Sequence, residues 1–573
     1  MRPANSGTGA EPAGRSLYQK PFLRFVLTAQ EMREADLYTS EVVGIPSMVL
    51  MERAALAVAD RICEDHKDAG AVKAAVISGT GNNGADGIAA GRILSERGYP
   101  VRFFLLSDRI REGSQCRAQL GIIEQYGYTA EIFKAEEFLD WKPDVVIDAM
   151  FGIGLTRDLE GTALEAAASI AQLKSDASVS GPLVYAVDIP SGVSSDDSRI
   201  LGDAVKADVT VTFGFLKRGH LMYPGAGYCG EIVTAQIGIT EHSLLRGEQY
   251  PQAGMFCYQD PAASDLLPAR KKDSNKGTFG KALLIAGSRN MAGAALLAGE
   301  SAALTGCGMV RIMTPECNRL IVQTSFPEAL LTTYPDESDL KDAQAPIIEN
   351  ANNELKRIFD EAIGWADTVL IGPGLGRSLE SISLVRMVLE TEKELRGIVI
   401  DADALRIIAS DKDLEEKLTL AANRNSVILT PHLAECADLM HIPVPQLKEN
   451  IAQYVKDFAD SHHLTLLCKD ARSVAASWNS RMLYINTSGT DALAKAGTGD
   501  VLAGLTVSLM AQHMEPFEAA CAASWLHGQA ARVSYPGERA RTLLAMDLAR
   551  ALTVLPGSGD RSLWNNTFAS LQK

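Results

Sequence analysis

The stretch VKAAVISGTGNNGADG, residues 72–87, joins an apolar run to a glycine-rich turn. The run is mostly small and β-branched, as in a strand that is covered on both faces of a parallel sheet. Gly79, Gly81 and Gly84 then follow the GxGxxG spacing, and a helical stretch comes next at about 88–97. Glycines let the backbone approach a phosphate closely, and the N-terminus of a helix adds a positive dipole end. This order of segments predicts a doubly wound, Rossmann-like α/β domain.

Apolar runs of the same kind recur along the chain, and helical stretches separate most of them. In the first half they are VRFFLL (101–106), DVVIDAM (144–150), LVYAVDI (183–189) and DVTVTF (208–213). In the second half they are KALLIAG (281–287), MVRIM (309–313), TVLIG (368–372), IVIDAD (398–403), SVILTP (426–431) and LTLLCKD (464–470). Alternating strands and helices predict parallel sheets with helices on both faces. We therefore expect two three-layer α/β/α domains.

Residues 241–275 interrupt this alternation with three prolines and the charged run RKKDSNKG. We expect an N-terminal α/β domain over 21–240, a linker over 241–264 and a C-terminal α/β domain over 265–560. Residues 1–20 are rich in Gly, Pro, Ser and Ala and have no periodicity, which predicts a disordered lead-in. Thr28 and Glu31 have the spacing of a capping box, which predicts the start of a helix.

Composition and charge exclude several classes of function. The 573 residues are 46% hydrophobic and 22% charged, which is typical of globular proteins. A net charge of −16 without a long basic run argues against binding to nucleic acid or to anionic membranes. No apolar stretch is long enough to span a bilayer and no signal-peptide core is present, so we expect a cytoplasmic protein. The nine cysteines are scattered without zinc spacing, as for core residues in a reducing compartment.

Carboxylates and carboxamides stand at three predicted strand ends of the first half. Asn82, Asn83 and Asp86 lie in the glycine-rich turn. Asp148 ends a strand before a second glycine-rich loop, and Asp188 ends another strand. Because the carboxyl ends of parallel strands meet at one edge of a sheet, we expect these groups to converge. A carboxylate beside a pyrophosphate is repulsive unless it binds a cation or hydroxyl groups, so the cluster indicates a ligand site with a metal. The alternative for each group is an Asx turn or a helix cap.

The stretch AGTGDVLAG, residues 496–504, carries the chemistry of the second half. Gly497 and Gly499 precede a predicted helix, and backbone N–H groups there can hold a phosphate at the positive end of the helix dipole. Asp500 stands at the start of this helix, where it can take the proton of an attacking hydroxyl. The alternative is that Asp500 only caps the helix.

Three motifs of the first half resemble those of the NAD(P)HX epimerase family, the YjeF N-terminal domain. They are NNGADG (82–87), DAMFGIGL (148–155) and VDIPSG (187–192). The resemblance covers about residues 25–240. The usual family form of the first motif is NNGGDG, so Ala85 is a departure.

This resemblance implies the roles of individual residues in the first half. Asp188 would be the proton-transferring, catalytic residue. A potassium ion would bind Asn83, Asp148 and Ser191, an oxygen-only ligand set that suits a hard cation. The hydrated nicotinamide nucleotide would contact Asn82, Asn83, Gly84, Ala85, Asp86, Gly152, Ile153, Gly154, Leu155, Thr156, Arg157, Asp158 and Asp188.

The GTGD motif of the second half is similar to that of the ribokinase-like superfamily. Further motifs, in order, resemble the NAD(P)HX dehydratase family, the YjeF C-terminal domain. They are KGTFGKALLIAGS (276–288), GPGLG (372–376), DADAL (401–405), TPHLAE (430–435) and KDARS (469–473). The resemblance covers about residues 265–555. The family commonly has Gly-Glu after the His where this chain has Leu433-Ala434-Glu435, and Thr where it has Ser473.

The second resemblance implies a ribokinase-like C-terminal domain in which Asp500 is the catalytic base. The adenine nucleotide would contact Lys469, Asp470, Ala471, Arg472, Ser473 and Gly499. The hydrated nicotinamide nucleotide would contact Ala294, Gly374, His432 and Asp500. Taken alone, His432 is more often a structural histidine, and only the motif indicates a functional one.

Together the two resemblances imply an isomerase and a lyase in one chain that repairs hydrated NADH and NADPH (NADHX and NADPHX). They imply a potassium ion in the first domain, and ADP as phosphoryl donor with Mg²⁺ in the second. We expect small-molecule substrates and a homo-oligomer, with neither nucleic acid nor membrane as partner. One alternative is a dinucleotide-binding oxidoreductase fused to a ribokinase-like kinase of a vitamin precursor. Another is a non-enzymatic adaptor, although Asp188 and Asp500 are both retained.

Overall fold

The computed structural model describes residues 20–68, 72–175, 181–246, 251–335, 345–534 and 541–555. The chain forms two compact units. The N-terminal unit consists of residues 24–256, and the C-terminal unit consists of residues 1–23 and 257–573. In the described part of the chain, no helix is both long and apolar enough to cross a membrane.

The N-terminal unit is built on a seven-stranded parallel sheet. The strands of this sheet are β2 (Ala74–Ser78), β3 (Val101–Leu105), β4 (Ala130–Ile132), β5 (Val145–Ala149), β6 (Leu183–Val187), β7 (Val209–Phe213) and β9 (Glu231–Ala235). Two further strands, β1 (Leu23–Leu27) and β8 (Leu216–Lys217), lie outside it. The helices of this unit are α1 (Ala29–Tyr38), α2 (Ser47–Asp65), α3 (Asn82–Glu96), α4 (Gln115–Gln125), α5 (Ala135–Trp141), α6 (Thr162–Ser175), α7 (Arg218–Leu221) and α8 (Glu241–Leu245). The sheet order is β4-β3-β2-β5-β6-β7-β9, and β1 pairs with β8 in parallel.

The order of this sheet reverses between β2 and β5. From β2 the chain continues to β3 and β4 on one side, and from β5 it continues to β6 and β7 on the other. Ligands of open α/β sheets bind outside the carboxyl ends of the strands at such a reversal. The loops that carry the first two motifs begin there, after Ser78 and after Ala149.

Two glycines let α3 lie close against the sheet. A Cβ at Gly87 would stand 2.2 Å from the Cβ of Ala149, and one at Gly91 would stand 2.6 Å from the side chains of Val76 and Phe103. Any larger side chain at these positions would push the helix outward. This close packing holds the first turn of α3 at the carboxyl end of β2.

The C-terminal unit follows the same plan with a larger sheet. After β10 (Met255–Tyr258), in which the division between the units falls, its strands are β11 (Lys281–Ile285), β12 (Met309–Pro315), β13 (Leu330–Tyr334), β14 (Thr368–Ile371), β15 (Gly397–Ile400), β16 (Val427–Leu429), β17 (Thr465–Cys468), β18 (Val474–Ser477) and β19 (Leu483–Ile485). They lie in the order β13-β12-β11-β14-β15-β16-β17-β18-β19. The pairs from β13 to β17 are parallel, whereas β18 is antiparallel to both of its neighbours.

Thirteen α-helices of the described residues accompany this sheet. They are α9 (Ala263–Leu266), α10 (Ala292–Leu304), α11 (Arg319–Ser325), α12 (Ala345–Trp365), α13 (Leu379–Glu390), α14 (Asp403–Ala409), α15 (Lys412–Ala422), α16 (Leu433–Leu439), α17 (Val444–Glu449), α18 (Ile451–Ser461), α19 (Thr498–Ala511), α20 (Pro516–Ser534) and α21 (Ala545–Ala551). The order of this sheet reverses between β11 and β14. The loops after these strands touch there, since the Gly287 N–H donates to the Pro373 carbonyl at 2.8 Å.

The predicted fold class is confirmed, because both units are α/β with largely parallel sheets and every apolar run quoted above contains a strand. The capping box is also confirmed. Thr28 Oγ1 accepts a hydrogen bond from the Glu31 N–H at 3.2 Å, and the Thr28 N–H donates to the Glu31 carboxylate at 2.7 Å.

Two boundaries differ from those expected from the sequence. The range 241–264, expected as a linker, instead contains α8, β10 and part of α9. The units divide between residues 256 and 257, which lie within β10, and all four residues of this strand, Met255–Tyr258, are buried. The helix expected at about 88–97 begins at Asn82, because the Ala85 N–H already donates to the Gly81 carbonyl at 3.1 Å. The expected lead-in over 1–20 lies outside the described residues, apart from Lys20.

Candidate active sites

Asp188 lies directly after β6, and its carboxylate is anchored through one oxygen. Asp188 Oδ1 accepts hydrogen bonds from Lys217 Nζ at 2.5 Å, Thr212 Oγ1 at 3.0 Å and the Phe213 N–H at 3.4 Å. Lys217, at the end of β8, is completely buried. Asp188 has a φ of +66°. Such a backbone conformation costs about 1 kcal/mol or more and persists only where the surroundings hold it.

His220 anchors the main chain of Asp188. Its Nδ1 accepts a hydrogen bond from the Lys217 N–H at 3.0 Å, so the ring proton is on Nε2. Nε2 donates to the Asp188 carbonyl at 2.9 Å. Burial, together with the charge of Lys217, lowers the pKa of His220 to about 4. The ring is therefore neutral at neutral pH and acts as a fixed hydrogen-bond donor.

Asp86 and Asp188 have opposite electrostatic surroundings. Burial alone would raise the pKa of Asp188, but the charge and hydrogen bond of Lys217 outweigh burial and hold this pKa below its usual range. Burial and the negative charges of Asp188 and Asp36 raise the pKa of Asp86 well above its usual range. One carboxyl group can therefore accept a proton while the other can donate one. Titratable pairs with pKa values driven apart are the pattern of acid–base catalysis.

Asp148 is a fully buried carboxylate in β5 that is satisfied by neutral donors. Its Oδ1 accepts from Ser191 Oγ at 2.6 Å and from the Met150 N–H at 3.3 Å, and its Oδ2 accepts from the Ser191 N–H at 2.8 Å. Burial raises the pKa of Asp148 to about 6, although the hydrogen bonds from Ser191 oppose this. No salt bridge of the described residues compensates its charge.

Asn83 lies beside the same loop. A Cβ at Gly152 would be 3.0 Å from Asn83 Oδ1, and Asn83 Nδ2 is buried without a partner among the described residues. A carboxamide turned by 180° would present its oxygen in that direction. An uncompensated carboxylate, a hydroxyl and an unpartnered carboxamide are oxygen donors with a total charge of about −1, which fits a monovalent cation.

The other predicted substrate residues of the N-terminal unit lie in the first turn of α3 and in the loop after β5. Gly84 and Ala85 are buried in the first turn of α3, whereas Asn82 is exposed. The loop from Gly152 to Asp158 is half-buried or exposed along its whole length. One contact that holds this loop is a hydrogen bond of 3.5 Å, which the Ile153 carbonyl accepts from Ser195 Oγ.

The GTGD turn presents backbone N–H groups at the N-terminus of α19. Gly497, with a φ of +88°, adopts a conformation that favours glycine. The N–H groups of the first helical turn have no acceptor within the helix, so those of Gly499 and Asp500 are available to bind an anion. A Cβ at Gly499 would lie 3.5 Å from Lys469 Nζ. A cation therefore stands directly beside this turn.

Asp500 lies among further charges at the same turn. Lys469 Nζ donates to Asp401 Oδ1 at 2.7 Å. Burial and the charge of Asp401 raise the pKa of Asp500 to about 7, although Lys469 opposes this. A carboxylate with a pKa near neutrality is well matched to take a proton from a hydroxyl. The described residues include no group of three or more His, Cys, Asp and Glu side chains arranged to hold a metal ion. Mg²⁺ usually binds through one or two carboxylates together with substrate phosphates and water, so a larger cluster of protein ligands is not required here.

His432 caps the N-terminus of α16. Its Nδ1 accepts from the N–H groups of Ala434 and Glu435 at 3.1 and 3.3 Å. The proton on Nε2 is donated to Glu435 Oε1 at 3.1 Å, and Glu435 also pairs with Arg406 at 3.6 Å. The ring is thus held in one orientation at the end of β16, and 44% of its side chain is exposed.

The remaining predicted residues of the C-terminal unit surround the same edge of the sheet. A Cβ at Gly374 would be 2.7 Å from the Cβ of Ala294, so these two residues are in contact. The Lys469 N–H donates to the Pro431 carbonyl at 2.7 Å, which brings the KDARS turn beside His432. Within this turn, which joins β17 to β18, Ser473 Oγ donates to the Asp470 carbonyl at 3.2 Å. Ala471 and Arg472 lie between them.

Several residues of these sites were not predicted from the sequence. In the N-terminal unit they are Lys217, Thr212 and His220, which hold Asp188. In the C-terminal unit they are Asp401, Glu435 and Arg406. The available signal was a lysine inside the apolar stretch VTVTFGFLK, since a lysine in a buried run needs a carboxylate partner.

The chain was compared with families and known proteins. Residues 282–554 match the family model described as NAD(P)H-hydrate dehydratase, and residues 47–219 match the model described as YjeF-related protein N-terminus. A dehydratase structure from Bacillus subtilis, described as ADP/ATP-dependent and co-crystallized with ATP/Mg²⁺, is 31% identical. It covers 51% of this chain and 93% of its own, with a TM-score of 0.40.

Two relatives match nearly the whole chain, and both are named bifunctional NAD(P)H-hydrate repair enzyme. The one from Moorella thermoacetica is 30% identical over 537 residues, which is 91% of this chain and 95% of that protein. The one from Thermofilum pendens is 32% identical over 519 residues, which is 89% of this chain and 92% of that protein. With both family models matched in the same order, the chain belongs to the family of bifunctional NAD(P)H-hydrate repair enzymes.

Proposed function

We propose that this chain restores hydrated NADH and NADPH with two separate active sites. Hydration adds water across a double bond of the nicotinamide ring and yields R and S epimers. The N-terminal unit interconverts the epimers. The C-terminal unit dehydrates the S epimer at the expense of ADP, which gives AMP and phosphate. The relatives' description as bifunctional repair enzymes supports two activities, and the match of residues 282–554 to the NAD(P)H-hydrate dehydratase model supports dehydration in the C-terminal unit.

In the N-terminal unit, Asp188 and Asp86 supply the base and the acid. Inverting the carbon that bears the hydroxyl requires a bond at that carbon to break and to form again on the other face. Asp86 gives a proton to the departing oxygen, and Asp188 takes a proton from the water that returns. The opposite pKa directions of the two carboxyl groups support these roles. The first turn of α3, residues 82–86, and the loop 152–158 hold the nucleotide.

In the C-terminal unit, Asp500 takes the proton of the ring hydroxyl as its oxygen attacks the terminal phosphorus of ADP. The new O–P bond forms while the bond to the leaving AMP breaks. The phosphate ester then leaves with its C–O electron pair, and the neighbouring carbon loses a proton to restore the double bond. Phosphorylation turns a poor leaving group into a good one, which explains why a dehydratase uses this fold.

We propose that Lys469, Asp470, Ala471, Arg472, Ser473 and Gly499 hold ADP. Ala294, Gly374, His432 and Asp500 contact the hydrated nicotinamide nucleotide. Lys469 and the N–H groups of the GTGD turn offset the charge that develops on the phosphate. Mg²⁺, when bound, would neutralise phosphate oxygens.

Asn83, Asp148 and Ser191 would hold a potassium ion in the N-terminal unit. When bound, this ion supplies a positive charge between Asp148 and the substrate pyrophosphate, which otherwise repel each other. Asp148 also orients Ser191 through two hydrogen bonds, and the Ser191 hydroxyl accepts from the Phe151 N–H at 3.0 Å. The same residues therefore shape the loop that precedes Gly152.

We propose that the protein works in the cytoplasm as a homo-oligomer. The support for the compartment is that all nine cysteines are free thiols. Mass measurement of the purified protein in solution tests the oligomeric state.

The observation that carries the proposed function is Asp500 at the N-terminus of α19, beside Lys469. The test mixes purified protein with acid-hydrated NADH, with and without ADP, and follows the absorbance of the reduced nicotinamide ring. Recovery only in the presence of nucleotide is expected. Recovery of NADH without nucleotide, or no recovery at all, would contradict the proposal. Reduction of a substrate by NADH would instead favour the oxidoreductase alternative.

A further inference from the structure

The two oxygens of the Asp188 carboxylate have different surroundings. Oδ1 accepts all three hydrogen bonds, from Lys217, Thr212 and the Phe213 N–H. Oδ2 accepts none from the described residues, and the side chain keeps 12% of its surface exposed. One oxygen is therefore fixed by the protein, and the other is left for a ligand.

The ammonium group of Lys217 is saturated by this arrangement. Nζ donates to Asp188 Oδ1 at 2.5 Å, to Thr212 Oγ1 at 2.8 Å and to the Phe213 carbonyl at 3.3 Å. An ammonium ion has three N–H donors and a neutral amine has two, so three acceptors match the charged form. A buried ammonium ion needs a carboxylate partner, and Asp188 is its partner here.

The segment that carries Lys217 also fixes the backbone of Asp188. The Lys217 N–H sets the tautomer of His220, and His220 Nε2 holds the Asp188 carbonyl. The Asp188 N–H donates to the Val211 carbonyl at 2.8 Å. Side chain and main chain are thus both tied to one short segment, residues 211–220, and this explains how the residue keeps its positive φ.

We propose that Lys217 is a positioning residue of the epimerase, which keeps Asp188 ionised and turned so that Oδ2 alone meets the substrate. This inference rests on the proposed role of Asp188. Lys217 does not touch the substrate, because it is completely buried. It acts through the charge and orientation of Asp188.

The proposal predicts a change in pH dependence. Besides Lys217, the titratable groups that face Asp188 are His220 and Asp86. His220 is neutral across the neutral range, and burial and the charges of Asp188 and Asp36 favour the protonated form of Asp86. Loss of the Lys217 charge leaves burial as the dominant influence on Asp188, and burial favours its protonated form. The acid limb of kcat/KM for epimerisation then moves to higher pH.

The experiment measures epimerisation and S-epimer dehydration in the full-length protein over a range of pH. For Lys217→Met, we expect epimerase kcat/KM to fall about 100-fold or more at neutral pH and its acid limb to rise. Dehydration stays at the wild-type rate. Lys174→Met is the matched control, because Lys174 pairs with Asp208 at 2.6 Å in the same unit and is outside the site. It should change neither activity.

A second pair of variants keeps Lys217 in place. Thr212→Val removes the hydroxyl that bridges Lys217 and Asp188, and Thr212→Ser keeps it. We expect Thr212→Val to raise the acid limb and Thr212→Ser to retain the wild-type profile, even if Lys217→Met does not fold. An unchanged acid limb in folded Lys217→Met or in Thr212→Val would overturn the inference. A wild-type protein that shows no epimerase activity would instead overturn the proposed function.

Discussion

At the scale of single residues, the surroundings of Asp500 determine the pH dependence that we expect for dehydration. Its pKa of about 7 results from burial and the charge of Asp401. Because the base must be ionised, kcat/KM for dehydration should rise with pH through about 7 and then level off. Measuring kcat/KM with saturating ADP from pH 5 to 9 checks this. A rate that is flat across this range would contradict the assignment of Asp500 as the base.

Asp148 should make the stability of the protein depend on potassium in a defined pH window. Its folded pKa of about 6 lies above the usual value of 3.8. Between these values the folded state binds more protons than the unfolded state, so stability falls as pH rises from about 4 to about 6. The loss is roughly 3 kcal/mol when no cation compensates the carboxylate. A bound potassium ion offsets that loss.

The measurement is the melting temperature with potassium, with lithium and with a bulky organic cation. The gain from potassium should be absent near pH 4 and present above pH 6, lithium should give less, and a chelator of divalent ions should change nothing. Asp148→Asn is the control and should show no gain. An equal gain from potassium in Asp148→Asn would contradict the site.

At the scale of elements, α10 and α19 must pack closely to keep Asp500 in place. A Cβ at Gly504 would lie 2.1 Å from the Ala298 carbonyl oxygen. Gly504→Ala should therefore cost about 1–3 kcal/mol of unfolding free energy and lower the dehydration rate while epimerisation persists. Gly364→Ala is the control, since a Cβ at that helical position meets no atom within 4 Å. Denaturant unfolding checks both, and equal stability of the two variants would refute the packing argument.

The sequence predicts the central strands well and the outer ones poorly. Central strands such as β2 and β14 are apolar on both faces, so their composition alone identifies them. Strands β9 and β13 lie at the sheet edges and carry exposed or half-buried Glu and Thr residues, and this mixed pattern does not distinguish a strand from a loop. The motif NNGADG was expected as a turn, but it forms the first turn of α3 because the helix hydrogen bonds begin at Gly81.

The site is predictable where its residues stand at the end of a strand, as Asp148 and Asp188 do, or at the start of a helix, as Asp500 does. The partners of Asp188 are not, because they are distant in the chain. Thr212 and Lys217 lie 24 and 29 residues beyond it. Only the parallel pairing of β6 with β7 brings that segment to the carboxylate. For His432 the sequence motif indicates a ligand contact, but in the structure both ring nitrogens contact residues of α16. Nδ1 accepts hydrogen bonds from the Ala434 and Glu435 N–H groups, and Nε2 pairs with the Glu435 carboxylate.

At the scale of the whole molecule, the two proposed activities belong to two compact units. The S epimer made in one molecule should therefore be usable by another. An equimolar mixture of Asp188→Asn and Asp500→Asn proteins is expected to clear both epimers, although neither variant does so alone. The time course of NADH recovery checks this. A mixture that performs no better than Asp188→Asn alone would mean that substrate does not pass between molecules through solution.

The most direct test follows both epimers separately by chromatography, with ADP present, in the wild type and the two single variants. The wild type should consume R and S hydrates completely. Asp188→Asn should consume S at the wild-type rate and leave R, apart from its slow spontaneous conversion. Asp500→Asn should consume neither while still equilibrating them. Loss of both activities in one folded single variant, or clearance of R by Asp188→Asn at the wild-type rate, would contradict two chemistries carried by two separate carboxylates.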